Sequence, residues 1–226
     1  ALYGIVNESN PTEAIYGVEW NSLYTTGNDG VAPSLKAAIA EISANGNGAI
    51  FDHRSGNGGT ILGPQLIWNF AMQPRNVSVY LDRQRAEDEL LTPTQGLAIF
   101  NAGVAASIAD RGGSAQATDK PIALLITRDV SASDWLPLGL KGAGPNVRIF
   151  GPYETNGGFS TRYGFGYWLG LNYVIAVGEA YDDQGVARGA LGAEPGEIVL
   201  PLQSDLVNGK DTVFEAALAW VRQEML

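Results

Sequence analysis

Ser131 and Ser133 stand between an apolar run and a short helical stretch, in ITRDVSASDW (126–135). A serine at such a junction has two uses. Its hydroxyl can cap the helix by accepting from a backbone N–H of the first turn, or, with a base in reach, it can attack an acyl carbon. The local sequence alone favours the cap. A second segment, FDHRSGNGGT (51–60), places Asp52, His53 and Arg54 at the end of an apolar run and follows them with Gly56, Gly58 and Gly59. Glycines permit a tight strand-to-helix turn. Backbone N–H groups presented by such a turn at a helix N-terminus can hold an oxyanion or a phosphate. No Gly-Lys-Ser/Thr follows, so the turn is not a P-loop. A third segment, LGAEPGEIVLPLQSDLVNGKDTVFEAALAWV (191–221), reads by itself as a turn, a strand and a docking helix.

The inventory of side chains limits what these segments can do. His53 is the single histidine and cysteine is absent. A Ser-His-Asp triad would have to use His53, and a multi-histidine metal site, disulfides, thiolate catalysis and Cys-based zinc are excluded. No metal or organic cofactor is expected. Side chains alternate along a strand, so Asp52 and His53 point to opposite faces, and a packed His53 is the commoner outcome beside the base role. Glu154 is a loop acid that could orient a base or bind substrate. Lys141 is expected to point away from Ser131, and Lys120 to lie at the far end of the strand that leads to it.

The chain carries 14 basic and 24 acidic residues, a net charge of −10. A field of that sign repels phosphate backbones and anionic lipid, so neither nucleic acid nor a membrane surface is an expected partner. Hydrophobic residues make up 45% and charged residues 17%, the balance of a globular domain. No apolar run reaches the roughly 18–20 residues that span a bilayer. The opening ALYGIVNESN has neither a basic start nor an apolar h-region, so no signal peptide is expected within it.

These segments must be positioned by the elements around them. Strands are expected at 14–20, 48–52, 77–81, 121–127, 147–151, 163–169 and 173–181, the last two as a hairpin across Gly170. Helices are expected over 34–45 behind Pro33, 61–72, 92–110, 134–140 and 211–225, the last capped by Asp211. Strand and helix alternate before the hairpins begin. The order predicts an α/β fold with a mostly parallel sheet, flanking helices and a C-terminal β-hairpin region, in a single domain over 1–226 with a leading strand and helix in 1–46. The aromatics Tyr153, Phe159, Tyr163, Phe165, Tyr167 and Trp168 crowd the hairpin region; aromatics alternating on strands are more often core than the lining of a groove.

Taken in order, residues 47–226 resemble the catalytic core of the tail-specific (C-terminal processing) serine peptidases. That family carries an Asp-x-Arg, Asn and paired-Gly turn, and Asp52, Arg54, Asn57, Gly58 and Gly59 are similar to it, with Asn57 one place later. Ser131-Ala132-Ser133-Asp134 matches the family's Ser-Ala-Ser-Glu, whose first serine is the nucleophile. Ile149-Phe150-Gly151 and Thr155-Asn156-Gly157 resemble the strand and Thr-x-Gly that follow. Gly192-Ala193-Glu194-Pro195-Gly196 and Gly209-Lys210-Asp211 resemble the closing Gly-Val-x-Pro-Asp turn and Gly-x-Asp helix. The resemblance implies a Clp protease/crotonase-like core in which Ser131 attacks a peptide carbonyl. The amides of Ala132 and of Gly58 or Gly59 would hold the oxyanion. It also implies a polypeptide substrate or ligand and a bacterial, exported (periplasmic or extracellular) location.

The sequence departs from the family at the general base. The family's lysine follows the Thr-x-Gly stretch, where this chain has Asn156, Gly157 and Gly158. The related tricorn branch uses a histidine and a glutamate, and Arg188 and Gly189 occupy the glutamate's place. Three functions stay open: an active peptidase with another base, a homologue that binds peptide or a small apolar ligand without cleaving it, and another serine hydrolase, such as an esterase, on the same fold.

Overall fold

Short runs of Ile, Val, Leu, Ala and Phe recur between glycine-rich turns, and these runs become the strands of one central sheet. The computed structural model describes residues 1–6, 10, 12–23, 30–56, 58–81, 109–128, 134–157, 163–176, 179–182, 186 and 191–226. Its strands are β1 (Leu2–Ile5), β2 (Ile15–Glu19), β3 (Gly48–Asp52), β4 (Arg75–Leu81), β5 (Ala109–Gly112), β6 (Ile122–Leu125), β7 (Val147–Gly151), β8 (Tyr163–Trp168), β9 (Leu171–Ala176), β10 (Glu179–Asp182) and β11 (Glu197–Ile198). Its helices are α1 (Ala32–Asn45), α2 (Leu62–Ala71), α3 (Trp135–Leu140), α4 (Gln203–Val207) and α5 (Thr212–Glu224).

The central sheet runs β1-β2-β3-β6-β7-β11. It is parallel throughout except for β1, which pairs antiparallel with β2. All of β6 and four of the five residues of β3 are buried, as expected for parallel strands covered on both faces. One face packs on α1, α2 and α3 through Leu35, Ile42, Ile67, Trp68 and Leu136. The other packs on α5, where Val213, Ala217, Trp220 and Val221 meet Ile15, Ile50, Leu125 and Phe150. β10, β4 and β5 form a second, antiparallel sheet, and β8 and β9 a hairpin.

Charged side chains add to the backbone caps at two helix ends. Lys120 Nζ donates to the carbonyls of Ile42 (2.9 Å) and Ser43 (2.8 Å) in the last turn of α1. Arg75 donates to the carbonyls of Gly139, Lys141 and Gly142 at the end of α3. Both place a cation where the helix dipole is negative. Lys120 thus sits at the start of β6, at the far end of that strand, as expected.

Several expectations change. The helix expected over 92–110 gives way at its end, since Ala109 and Asp110 begin β5, paired with β4; residues 92–108 lie outside the described residues. β1 was not anticipated. The strand expected at 173–181 is two: β9 starts at Leu171 and pairs with β8, while β10 pairs with β4 in the other sheet. Leu169 (φ 48°) and Gly170 (φ 85°) form a two-residue turn with both φ positive, the geometry that suits the right-handed twist of a hairpin. Tyr167 and Trp168, expected in the core, are 71% and 68% exposed, because at the hairpin tip their strand pairs only with β9 among the described residues.

The packing of α3 on α2 leaves no room at Gly139. A Cβ there would lie 2.3–2.5 Å from the Trp68 indole, which is itself fully buried. Gly139→Ala should therefore destabilise the fold by about 1–3 kcal/mol through overpacking, seen as a lower urea midpoint.

Candidate active site

β3 ends at Asp52, and the chain turns at once so that Arg54 folds back onto it. Arg54 Nε donates to Asp52 Oδ1 (2.9 Å) and Nη2 to Oδ2 (2.5 Å), a bidentate pair, while the Arg54 N–H also donates to Oδ1 (3.1 Å). The remaining guanidinium nitrogen reaches Asp211 Oδ2 at 2.6 Å. Asp211 Oδ1 in turn accepts from the Phe214 N–H (3.1 Å) and caps α5, as expected from sequence. Burial acts to lower the Arg54 pKa, but the hydrogen bonds and charges of Asp52 and Asp211 outweigh it and hold the pKa above the ordinary guanidinium value. Arg54 is therefore a fixed cation that joins the Asp-x-Arg turn to the Gly-x-Asp helix.

The glycine turn follows directly. Gly58 (φ 76°) and Gly59 (φ 142°) both adopt conformations that favour glycine. The turn lies against Leu23: the Leu23 N–H donates to the Gly58 carbonyl (3.0 Å), and the Thr60 N–H donates to the Leu23 carbonyl (3.2 Å). This is a one-residue parallel bridge between Leu23 and Gly59. A Cβ on Gly59 would lie 2.3 Å from the Leu23 carbonyl carbon, so glycine is required there. In such a bridge the central residue's own N–H faces away from its partner. The Gly59 N–H thus points away from Leu23, and no described residue accepts it.

β6 delivers the chain toward the serine segment, and two residues hold its exit. Thr127 Oγ1 donates to the Tyr153 hydroxyl (3.3 Å), and the Arg128 guanidinium lies 4.9 Å over the Tyr153 ring. Asn156 donates from Nδ2 to the Arg128 carbonyl (3.1 Å). Its neighbour Thr155 is buried and pairs with Ala193: the Thr155 N–H donates to the Ala193 carbonyl (3.1 Å) and the Ala193 N–H to Thr155 Oγ1 (2.7 Å). The Thr-x-Gly and Gly-x-x-Pro segments are thereby locked together. Asp134 is fully buried at the start of α3. Ser131, Ala132, Ser133 and Asn57 lie outside the described residues.

His53 is fully buried. Its Nδ1 accepts from Trp20 Nε1 at 3.0 Å, with the two rings 5.3 Å apart. Indole N–H can only donate, so Nδ1 is unprotonated and the proton of the neutral ring sits on Nε2. This geometry favours the packed-residue reading of His53. Glu154 is exposed. Lys141 pairs with Glu194 at 3.1 Å, a surface contact away from the glycine turn. A cleft of about 540 Å³ opens beside Arg54 at the carboxyl ends of β3, β6 and β7, lined by Ser55, Thr127, Tyr153, Leu206, Lys210 and Val213. Such strand ends are where open α/β sheets gather ligands. Among the described residues no group of three or more His, Asp or Glu is placed to hold a metal. No helix there is long and apolar enough to cross a membrane. The partnerships of Arg54 with Asp211, Trp20 with His53 and Leu23 with Gly59 were not legible in sequence, because each joins segments with no local signal of one another.

No protein-family model and no curated protein matches this sequence. At the level of structure the chain is similar to a candidate peptidase from Parabacteroides merdae, with a TM-score of 0.72 and 18% identity over 97% of this chain and 63% of that one. It is also similar to mature CPAF complexed with lactacystin (TM-score 0.62, 14% identity, 93% of this chain and 51% of that one). The photosystem II D1 C-terminal processing protease follows at a TM-score of 0.55 and 17% identity, over 83% of this chain and 44% of that one. The chain spans from 44% to 63% of the length of these structures. At such identities the likeness is one of fold. The class it defines is the mixed, mostly parallel α/β sheet with flanking helices that these peptidase structures share.

The two functions of Asp211 are separable. Asp211→Ala removes both the helix cap and the ion pair and should cost about 1–2 kcal/mol, most of it the cap. Asp211→Asn keeps a capping oxygen and loses only a pair whose acid is 42% exposed, so it should cost less than about 1 kcal/mol. Urea unfolding of both variants checks the order.

Proposed function

We propose that this chain is a serine hydrolase of the tail-specific peptidase type, acting on polypeptide. Ser131 Oγ attacks the scissile carbonyl carbon while its proton passes to a base. The C–O bond forms, and the carbonyl electrons are held as an oxyanion by the backbone amides of Gly59 and Ala132, with Gly58 shaping the turn. Collapse expels the amine, and water then hydrolyses the acyl-enzyme. The observation that carries this reading is the Gly59 N–H, turned away from Leu23 at the head of α2 and without a described acceptor. A donor aimed at a developing oxyanion supplies about 3 kcal/mol of barrier lowering. The net charge of −10 suits a polypeptide rather than a nucleic acid, and an exported location goes with the reading.

His53 is an unsuitable base in this arrangement, since its one lone pair is held by Trp20. The stretch Asn156, Gly157 and Gly158, which resembles the place of the family's lysine and whose Asn156 is fastened to the Arg128 carbonyl, holds no lysine and favours a second reading: a homologue that binds polypeptide or a small apolar ligand in the same cleft without cleaving it. Under either reading Glu154, exposed on the loop before Asn156, contacts the substrate chain.

Labelling with a fluorophosphonate probe, followed by intact mass, separates the two. An active hydrolase gives a single adduct between about pH 6 and 10 that is lost in Ser131→Ala, since the probe reports an activated serine. No adduct on folded protein would move the assignment to the binding reading. His53→Gln, checked for folding, should keep most of the labelling rate; loss of labelling by 100-fold or more, the scale on which a general base acts, would make His53 the base after all.

A further inference from the structure

A second hollow lies on the α5 side of the sheet, away from the glycine turn. It measures about 300 Å³, and its walls include Leu2, Val6, Ile50 and Phe214, with Glu19 and Asp52 at the rim. Its open floor is Gly4 of β1, in direct register with Gly17 of β2, which the Val6 side chain covers. Glycine in a strand interior weakens the strand and marks places where a ligand or another backbone comes close. The two glycines differ in what explains them. A Cβ on Gly17 would lie 2.5 Å from Val6 Cγ1, so packing within the fold accounts for it, whereas a Cβ on Gly4 would meet nothing within 4 Å. Gly4 has no positive φ either. Neither backbone conformation nor packing requires glycine at position 4, and its effect is to leave the floor bare.

The charge at the rim is one-sided. Asp52 is neutralised by the bidentate Arg54. The Glu19 carboxylate has no hydrogen-bond or ion-pair partner among the described residues. The hollow therefore offers apolar walls, a flat backbone floor and one uncompensated carboxylate, at a volume near the lower end of small-molecule sites (about 300–1,000 Å³). We propose that this hollow binds a small organic cation with a flat apolar body, of the arylalkyl-ammonium class. The ring lies on the Gly4 backbone against Val6 and Phe214, and the ammonium meets Glu19. Anions are repelled by the same rim. The assignment is independent of the peptidase reading, since it uses none of that site's amides or hydroxyls.

Titration of the whole chain with 2-phenylethylammonium, followed by backbone amide NMR, tests it. The expected result is saturable shifts centred on Gly4 and Glu19, with no saturation by 3-phenylpropanoate. Gly4→Val fills the hollow and should weaken binding at least about tenfold, a loss of roughly 1.4 kcal/mol, without lowering the unfolding midpoint. Glu19→Gln, an exposed and conservative change, should weaken binding several-fold and remove its salt dependence. Shifts that do not saturate, equal binding of the carboxylate probe, or wild-type binding by both variants would overturn the proposal. So would a dimer in sedimentation that Gly4→Val abolishes, which would give the hollow to a second copy.

Discussion

The arrangement of the candidate site depends on one guanidinium. Arg54 is a half-buried cation held by two carboxylates, one from the end of β3 and one from the N-cap of α5, which come from opposite ends of the chain. Burying such a charge costs several kcal/mol unless its donors are satisfied. Here the bidentate contact to Asp52 and the 2.6 Å contact to Asp211 meet that condition. Because α5 packs across Ile50, Leu125 and Phe150, fixing its first residue to Arg54 also fixes the helix over β3, β6 and β7. The glycine turn begins two residues later, so the direction of its amides inherits the same constraint.

Close backbone approach is the second device. Gly59 lies against Leu23, Gly151 against Ile126, and Gly192 against Thr155, where an added Cβ would lie 1.7 Å from the carbonyl oxygen. Each contact joins two loops at the carboxyl end of the sheet. The loops that carry the candidate chemistry are thus positioned by main-chain hydrogen bonds and by the absence of side chains. The ion pair at Arg54 and the Tyr153, Thr155 and Asn156 contacts add side-chain ties.

Much of the scaffold was legible because burial and period agreed. β3 and β7 begin and end where their apolar runs do, and α5 follows its 3.6-residue stripe from the Asp211 cap. β1 was not legible, since all four of its residues are exposed and no alternation marks them. Ala109-Asp110-Arg111-Gly112 carries no strand signal either, and becomes β5 through pairing with β4. In the hairpin, aromatic residues suggested burial, but Tyr167 and Trp168 lie at a tip that no described element covers. The glycine turn was legible as a turn; that Gly59 needs its glycine on account of Leu23 was not, because the two lie far apart in the chain.

His53 shows how one strand end can serve two environments. Alternation along β3 turns Asp52 to the α5 face, where it meets Arg54, and leaves the next side chain to the face covered by α1 to α3. There His53 packs among Trp20 and its neighbours, and the indole N–H selects the tautomer. A neutral imidazole so held satisfies the Trp20 donor inside an apolar cluster, where an unmet N–H would cost about 1–3 kcal/mol. Charge on one face and a ring paired to Trp20 on the other let the strand end carry two polar side chains without opposing demands. The same separation sets Trp20 as the residue that decides what His53 can do. While the indole occupies Nδ1 and Nε2 keeps its proton, the imidazole is a structural strut beneath the turn rather than an acceptor at its surface.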